Sequence, residues 1–201
     1  MRYAENLMKA YILIGGRSHR MGSPKRDVLF DGVPFLERVA FAARGAFDEV
    51  FALQRYGARP DRDLPTVFEE SHELEAPVFG VAAALGHAQG RCFILAVDYP
   101  LLTSNLLREL RLRFEQSHAL LMAPRWNGKL QMLCAGYDSR LLPRIESRIG
   151  EGRLDLRGLA GEIETEILEE DDLRQQFPGE PLSNVNTSEE LAQLEKARRM
   201  Q

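Results

Sequence analysis

The chain has 201 residues, of which 44% are hydrophobic and 28% are charged, and its net charge is −4. This composition is typical of a globular protein, excludes disordered and collagen-like chains, and suits a single domain spanning residues 1–201. A mildly acidic chain is unlike a dedicated nucleic-acid binder, and no apolar run approaches the ~18 residues that cross a bilayer, so we expect neither nucleic acid nor membrane as a partner.

Short apolar runs alternate with helical patterns through the first half of the chain. The runs that predict strands span residues 10–14, 49–53, 66–68 and 92–97. A helix is expected to begin at Pro34, because proline suits a first helical turn, and an alanine-rich helix is expected over 77–87. Thr103 or Ser104 can cap a third helix, whose apolar residues recur at helical spacing.

A hairpin is predicted in the second half. Asn127-Gly128 is a strong turn signal between a strand over 119–122 and a return strand over 130–137. Further on, acidic residues or threonine alternate with isoleucine over 162–168, which is the pattern of an edge strand with one solvated face. The acidic stretch 161–172 is interpreted as part of that solvated edge.

A capping box at Thr187 and Glu190 predicts the start of the last helix. Strands that alternate with helices indicate an α/β fold with a mostly parallel sheet flanked by helices. In such sheets ligands bind beyond the carboxyl ends of the strands. The segments expected there are the loop that begins at Gly15, the strand end at Asp98 and the stretch 184–187.

The two cysteines, Cys92 and Cys134, both lie in apolar stretches. Isolated apolar cysteines are typical of buried, reduced thiols, which persist in the cytoplasm. The sequence therefore predicts a cytoplasmic protein with neither a disulfide framework nor a zinc site.

The loop after the first strand is basic and rich in glycine. Between Gly15 and Arg26 it carries a local charge of about +4 and no acid. Gly15 and Gly16 free the backbone to bring N–H groups close to an anion, while Arg20 and Lys25 offer donors for phosphate oxygens. The loop is neither a Walker loop nor a G-x-G-x-x-G motif. It predicts nucleotide or phosphate binding, and the alternative is a solvated basic loop.

Two further segments carry candidate polar groups. Asp98 ends the buried strand 92–97, where a carboxylate can hold Mg²⁺, although an aspartate before a turn also serves as a cap. Asn184 and Asn186 precede the final helix, whose amino terminus attracts phosphate. The alternative for these asparagines is a polar loop ahead of a helix.

The segments 13–25, 98–100 and 184–191 resemble three motifs of the molybdenum cofactor guanylyltransferases, the MobA family of nucleotidyltransferases. The first segment reads Leu-Ile-Gly-Gly-x-Ser-x-Arg-Met-Gly-x-x-Lys, with Ile14 in place of the family's alanine. Related cytidylyltransferases have an alanine where this chain has Gly15, so the resemblance favours guanine. It implies a Rossmann-like, three-layer nucleotidyltransferase fold with a nucleotide-binding half over 1–100 and an acceptor-binding half over 101–201.

The resemblance also implies a reaction and a set of site residues. GMP would pass from GTP to the terminal phosphate of molybdenum-molybdopterin, with Mg²⁺ as cofactor, and molybdoenzymes or cofactor-biosynthesis proteins would be transient partners. The implied catalytic residues are Arg20, Lys25 and Asp98, and Asp98 is the metal ligand. The implied nucleotide-binding residues are Leu13, Ile14, Gly15, Gly16, Lys25, Glu70 and Asp98. The implied acceptor-binding residues are Gln131, Asn184 and Asn186.

Several alternatives remain at this stage. Trp126 either stacks on the pterin ring of the acceptor or covers the hairpin. The whole chain is alternatively a cytidylyltransferase, a nucleotidyltransferase that activates a sugar phosphate or phospholactate, or a non-catalytic homologue that binds nucleotide. Nucleotide turnover with pyrophosphate release separates these functions.

Overall fold

The computed structural model describes residues 7–15, 24–70 and 72–199. In these ranges the strands are β1 Lys9–Leu13, β2 Leu29–Phe30, β3 Val33–Pro34, β4 Glu49–Gln54, β5 Thr66–Phe68, β6 Arg91–Ala96, β7 Leu121–Trp126, β8 Lys129–Leu130, β9 Cys134–Asp138 and β10 Thr165–Leu168. The helices are α1 Phe35–Arg44, α2 Pro77–Ala88, α3 Ser104–Gln116, α4 Leu142–Gly150, α5 Leu156–Glu162, α6 Glu170–Gln176 and α7 Ser188–Arg199.

The strands form one large sheet in the order β10-β7-β9-β6-β1-β4-β5, with β8 paired to β7 and a separate β2–β3 hairpin. The pairs β1–β4, β1–β6, β4–β5 and β7–β10 are parallel, whereas β9 is antiparallel to both of its neighbours. The predicted α/β fold with a mostly parallel sheet is therefore confirmed.

Both faces of the sheet are covered, which explains why the central strands are continuously apolar in sequence. Ile12 of β1 packs with α1 and α3 in one core, and Tyr11 and Leu13 pack with α2 in the other. Side chains alternate between the two faces of a strand. A strand buried on both sides therefore needs apolar residues at every position.

The predicted return strand over 130–137 is split in the structure. β8 ends at Leu130 and β9 begins at Cys134, with a turn closed by the hydrogen bond from Cys134 N to Gln131 O at 3.0 Å. The reason is tertiary, because β9 pairs with β6 on one side while it stays paired with β7 on the other. The strand predicted over 119–122 begins at Leu121 and continues to Trp126.

The predicted edge strand over 162–168 is shorter than expected. Glu162 is the last residue of α5, and β10 covers only Thr165–Leu168 at the edge of the sheet. The acidic residues that follow open α6, where a helix start favours negative charge.

Both predicted helix caps are confirmed. Thr103 Oγ1 accepts from the Leu106 N–H at 3.2 Å. Thr187 Oγ1 accepts from the Glu190 N–H at 3.1 Å, while the Glu190 carboxylate accepts from the Thr187 N–H at 3.2 Å. Cys92 and Cys134 are buried and free. Within the described ranges, the helices are too short or too polar to cross a bilayer.

Candidate active site

The carboxyl ends of β1, β4 and β6 lie side by side at one edge of the sheet. The strands stay paired just past their ends, since the Ile14 N–H donates to Leu53 O at 3.1 Å and the Val97 N–H donates to Leu13 O at 3.2 Å. Gly15 and Asp98 each lie two residues beyond the end of their strand, and this places both residues at the same edge.

Three side chains that are far apart in sequence meet there. Lys25 Nζ donates to Asp98 Oδ2 at 2.7 Å and to Asn186 Oδ1 at 2.6 Å. The Val185 N–H donates to Asp98 O at 2.9 Å and anchors the C-terminal loop beside β6. The side chains of Lys25 and Asp98 are only 22% and 15% exposed, so solvent screens this ion pair only in part.

A cavity of about 270 Å³, which we call the nucleotide cavity after the ligand predicted from the sequence, lies on one side of Asp98. Its polar and charged lining residues are Lys25, Arg55, Glu69, Glu75 and Asp98. Gly15 also lines it, and a Cβ at that position would lie 3.2 Å from Arg55 Cγ. The missing side chain therefore keeps the backbone accessible at the cavity wall.

A second cavity of about 440 Å³, which we call the acceptor cavity after the acceptor-binding residues predicted for it, lies on the other side of Asp98. Its lining includes Tyr99, Gln131, Asp155, Arg157 and Asn184. The two cavities share Pro77, Asp98 and Leu133. Asp98 therefore stands where a molecule in one cavity would meet a molecule in the other.

The structure brings most of the sequence-predicted site residues to these cavities. Leu13, Gly15, Lys25 and Asp98 line the nucleotide cavity, and Gln131 and Asn184 line the acceptor cavity. Asn186 reaches the same place through Lys25. Gly16 and Arg20 lie outside the described residues.

Two predicted nucleotide-binding residues are not on the cavity. The Ile14 side chain packs in the core on the α1 side, and its N–H is already bonded to Leu53 O. Glu70 is exposed and outside the nucleotide-cavity lining, which contains Glu69 instead. The Glu69 N–H extends the β4–β5 pairing by donating to Gln54 O at 2.8 Å. Successive residues of such an extended chain face opposite sides, so only Glu69 can face the cavity.

Glu69 has an unusual electrostatic environment. Burial raises the pKa of its carboxyl, Glu75 raises this pKa further, and Arg55 opposes the shift. Arg55 Nη1 lies 2.5 Å from Glu75 Oε1 and forms an ion pair at the cavity. Sequence reasoning missed Glu69 and Arg55, although both directly follow strands that end at the ligand-binding edge.

Gln131 has a structural role in the cavity wall. Its Nε2 donates to Trp126 O and Lys129 O, both at 3.0 Å, and its Oε1 accepts from Tyr99 OH at 2.9 Å. Both amide hydrogens are thus engaged within the protein. Gln131 therefore shapes the acceptor cavity by fixing the β7–β8 hairpin against Tyr99.

Trp126 is fully buried, so its ring is not open to a ligand. Its Nε1 donates to Glu180 Oε2 at 3.1 Å, and the Arg174 guanidinium lies 4.1 Å from the ring centroid. Of the two interpretations of Trp126, the geometry supports the one in which it covers the hairpin.

The residues at Asp98 fit a divalent cation that arrives with a phosphate ligand. No cluster of three or more His, Cys, Asp or Glu residues suited to a metal occurs in the described part of the chain. Mg²⁺ is commonly held by one or two carboxylates together with substrate phosphates and water. Asp98, with one oxygen on Lys25, offers such a partial donor set.

Comparisons with known proteins identify the family of this chain. The family model of the MobA-like NTP transferase domain matches residues 10–165. A protein of Thermococcus gammatolerans named "probable molybdenum cofactor guanylyltransferase" is 30% identical over 191 residues, which cover 92% of this chain and 97% of the relative.

Two solved structures have the same fold. Molybdopterin-guanine dinucleotide biosynthesis protein A from Archaeoglobus fulgidus has a TM-score of 0.81 at 20% identity, covering 96% of this chain and 100% of its own. A Mycobacterium tuberculosis protein, crystallised as a manganese complex, has a TM-score of 0.65 at 16% identity, covering 95% and 99%. At these identities the likeness concerns the fold.

Proposed function

Since this chain belongs to the MobA-like NTP transferase domain family and is therefore a nucleotidyltransferase, we propose that it transfers GMP from GTP to the terminal phosphate of molybdenum-molybdopterin. The observation that carries the proposal is the pair of cavities that meet at Asp98, beside Lys25 and Asn186. GTP occupies the nucleotide cavity and molybdopterin the acceptor cavity, so that the two phosphates meet at Asp98.

The reaction needs positioning and charge neutralisation more than covalent chemistry by the protein. An oxygen of the acceptor phosphate attacks the α-phosphorus of GTP, and the bond from that phosphorus to the oxygen of the leaving pyrophosphate breaks. Lys25 neutralises negative charge on the phosphates, and Gly15 allows their close approach. Arg20 and Gly16 share this role in the proposal.

Asp98 would hold Mg²⁺, with Asn186 orienting the neighbouring Lys25. A cation held there would supply positive charge against the negative charge that develops on the phosphates. Asn184, exposed on the acceptor-cavity wall, helps to orient the acceptor. We assign the nucleotide cavity mainly to a nucleotide-binding half over 1–100 and the acceptor cavity mainly to an acceptor-binding half over 101–201.

The charges in the nucleotide cavity support guanine as the base. Guanine presents acceptors at O6 and N7 and a donor at its exocyclic amino group. Arg55 supplies a fork of donors for the acceptors, and the Glu69 carboxylate accepts from the amino group. We propose that Glu69 and Arg55, rather than Glu70, recognise the base.

Replacing Glu69 tests this assignment against its neighbour. Glu69→Gln is expected to weaken GTP binding by about 10-fold or more, because it removes an ionised hydrogen-bond acceptor. Glu70→Gln is expected to leave GTP binding unchanged, since Glu70 is exposed and off the cavity. Titration calorimetry with GTP and Mg²⁺ measures both constants, and equal constants for the two variants contradict the assignment.

The direction of the Glu69 pKa shift adds a pH dependence. Because burial raises this pKa, the ionised carboxylate is lost at a higher pH than in an ordinary glutamate. GTP binding should therefore weaken as pH falls through the raised pKa. Glu69→Gln should remove that step from the binding profile.

A pyrophosphate-release assay with GTP, Mg²⁺ and molybdenum-loaded molybdopterin tests the function itself. Stabilisation of the fold by GTP, compared with CTP and ATP, tests nucleotide preference separately. Turnover of CTP without GTP would replace the guanylyl assignment with a cytidylyl one. Nucleotide binding without pyrophosphate release from any triphosphate would indicate a non-catalytic homologue.

Location and protein partners are also part of the proposal. We infer a cytoplasmic protein, supported by the two buried free thiols. The product is then expected to pass to molybdoenzymes through transient contacts. Co-purification with a molybdoenzyme in molybdate-grown cells tests the second point.

A further inference from the structure

One cation of the acceptor cavity lacks a counter-ion in the described part of the chain. Arg157 lies in the first turn of α5 and lines this cavity together with Asp98 and Tyr99. It is exposed, and no described residue forms a hydrogen bond or an ion pair with its guanidinium. Burial raises the pKa of the Tyr99 phenol, and the positive charge of Arg157 acts in the opposite direction.

Each carboxylate of the same cavity already has a cationic partner. Asp98 is paired with Lys25 at 2.7 Å. Asp155 Oδ1 accepts from the Gly158 N–H at 2.5 Å, and its Oδ2 accepts from Arg148 Nη2 at 2.9 Å. Arg157 is therefore the uncompensated charge among the described lining residues, and the cavity favours an anion.

The helix that carries Arg157 is held at both ends by one buried side chain. Arg148 is only 2% exposed and contacts Asp155, which caps α5, and Glu162, which is its last residue. An arginine on such a fixed helix is better preorganised for a ligand than one on a free loop.

We propose that Arg157 binds the phosphate of the acceptor and selects phosphorylated acceptors. The guanidinium fork fits two oxygens of a phosphate monoester and leaves a third oxygen to face the nucleotide cavity. Arg157 and Asp98 line the same cavity, so a phosphate held by Arg157 is kept at the point where the nucleotide phosphates arrive. The identification of the acceptor as molybdopterin rests on the proposed function; the selection of a phosphate monoester rests on the cavity.

Kinetics and equilibrium binding of three variants test the proposal. Arg157→Ala is expected to raise the KM for molybdenum-molybdopterin, and its Kd measured without nucleotide, by about 10- to 100-fold while leaving the KM for GTP unchanged. Arg157→Lys should fall between, because lysine keeps the charge and loses the fork. Arg62→Ala is the matched control, since Arg62 is also exposed and lines neither cavity.

Dephosphorylated molybdopterin separates a phosphate contact from a general loss of the cavity. The Arg157→Ala penalty on Kd should disappear with this ligand. A penalty that persists at full size would overturn the phosphate contact. Thermal unfolding of Arg157→Ala should match the unsubstituted protein, because the side chain is exposed and unpaired in the described structure.

The outcomes distinguish this inference from the proposed function. If the unsubstituted protein turns over GTP with molybdopterin and Arg157→Ala has an unchanged acceptor KM and Kd, the role of Arg157 is wrong and the function stands. If the unsubstituted protein shows no turnover, the proposed function is wrong. The Kd for molybdopterin, measured without nucleotide, then tests the role of Arg157 by itself. Weaker binding by Arg157→Ala than by Arg62→Ala then supports its role. Equal binding, or none by the unsubstituted protein, overturns it.

Discussion

Replacing Asp98 with alanine is expected to lower the turnover number by roughly 100-fold or more while the protein remains folded. The Asp98 side chain lies between the two cavities and fixes Lys25 Nζ at 2.7 Å. Its loss removes the carboxylate proposed for the cation and frees Lys25 at the same time. The fold should survive, because the contact that anchors the C-terminal loop uses the backbone oxygen of Asp98.

Two companion variants separate charge from shape. Asp98→Asn keeps the size and one acceptor for Lys25 but removes the negative charge, so it should also be strongly impaired. Lys25→Ala should lose a comparable factor, whereas Lys129→Ala, an exposed lysine outside both cavities, should not. Single-turnover pyrophosphate release measures these effects, with circular dichroism as a check on folding. Full activity in both Asp98→Ala and Lys25→Ala would refute the site.

Replacing Glu162 with alanine is expected to destabilise the fold by about 2 kcal/mol, because it takes a charged hydrogen-bond partner from the buried Arg148. Three arginines converge on its carboxylate: Arg144, Arg148 and Arg153. Arg148 is almost fully buried and would lose one of its two carboxylate partners, although Asp155 would remain. The three positive charges would also repel each other.

Urea denaturation measures this effect. Glu164→Ala is the control, because Glu164 is also exposed but forms no ion pair with any described residue, and it should change the free energy of unfolding by less than about 0.5 kcal/mol. Glu162→Leu combined with Arg148→Met should recover stability, because an apolar pair of similar volume needs no counter-ion. Equal unfolding free energies for Glu162→Ala and Glu164→Ala would mean that this ion-pair network contributes nothing to stability.

The sequence by itself determined the elements whose causes are local. Strand β1, the strand that ends before Asp98 and the capping box at Thr187 and Glu190 were all predicted, because apolar runs and cap hydrogen bonds involve residues close in the chain. The basic, glycine-rich loop is local in the same sense, and it predicts a nucleotide or phosphate ligand.

Only the tertiary structure decided which side chains meet. The sequence predicts that the loop from Gly15, the strand end at Asp98 and the stretch 184–187 share the ligand-binding edge. It does not predict that Lys25 bonds to both Asp98 and Asn186, which lie 73 and 161 residues further along the chain. Glu69 and Glu70 are neighbours in an extended segment, so their side chains face opposite sides, and it is Glu69 that faces the cavity.

Long-range pairing likewise decided what the second half of the chain contributes. Because β9 lies between β6 and β7, the predicted return strand is split into β8 and β9. Gln131 lies in the turn between them, and both hydrogens of its amide bond to the backbone of the hairpin. Arg157 sits in a stretch without a recognisable motif, and its importance comes from the carboxylates around it being engaged elsewhere. A motif records which groups are present, whereas the packing of the whole chain decides which of them remain available to a ligand.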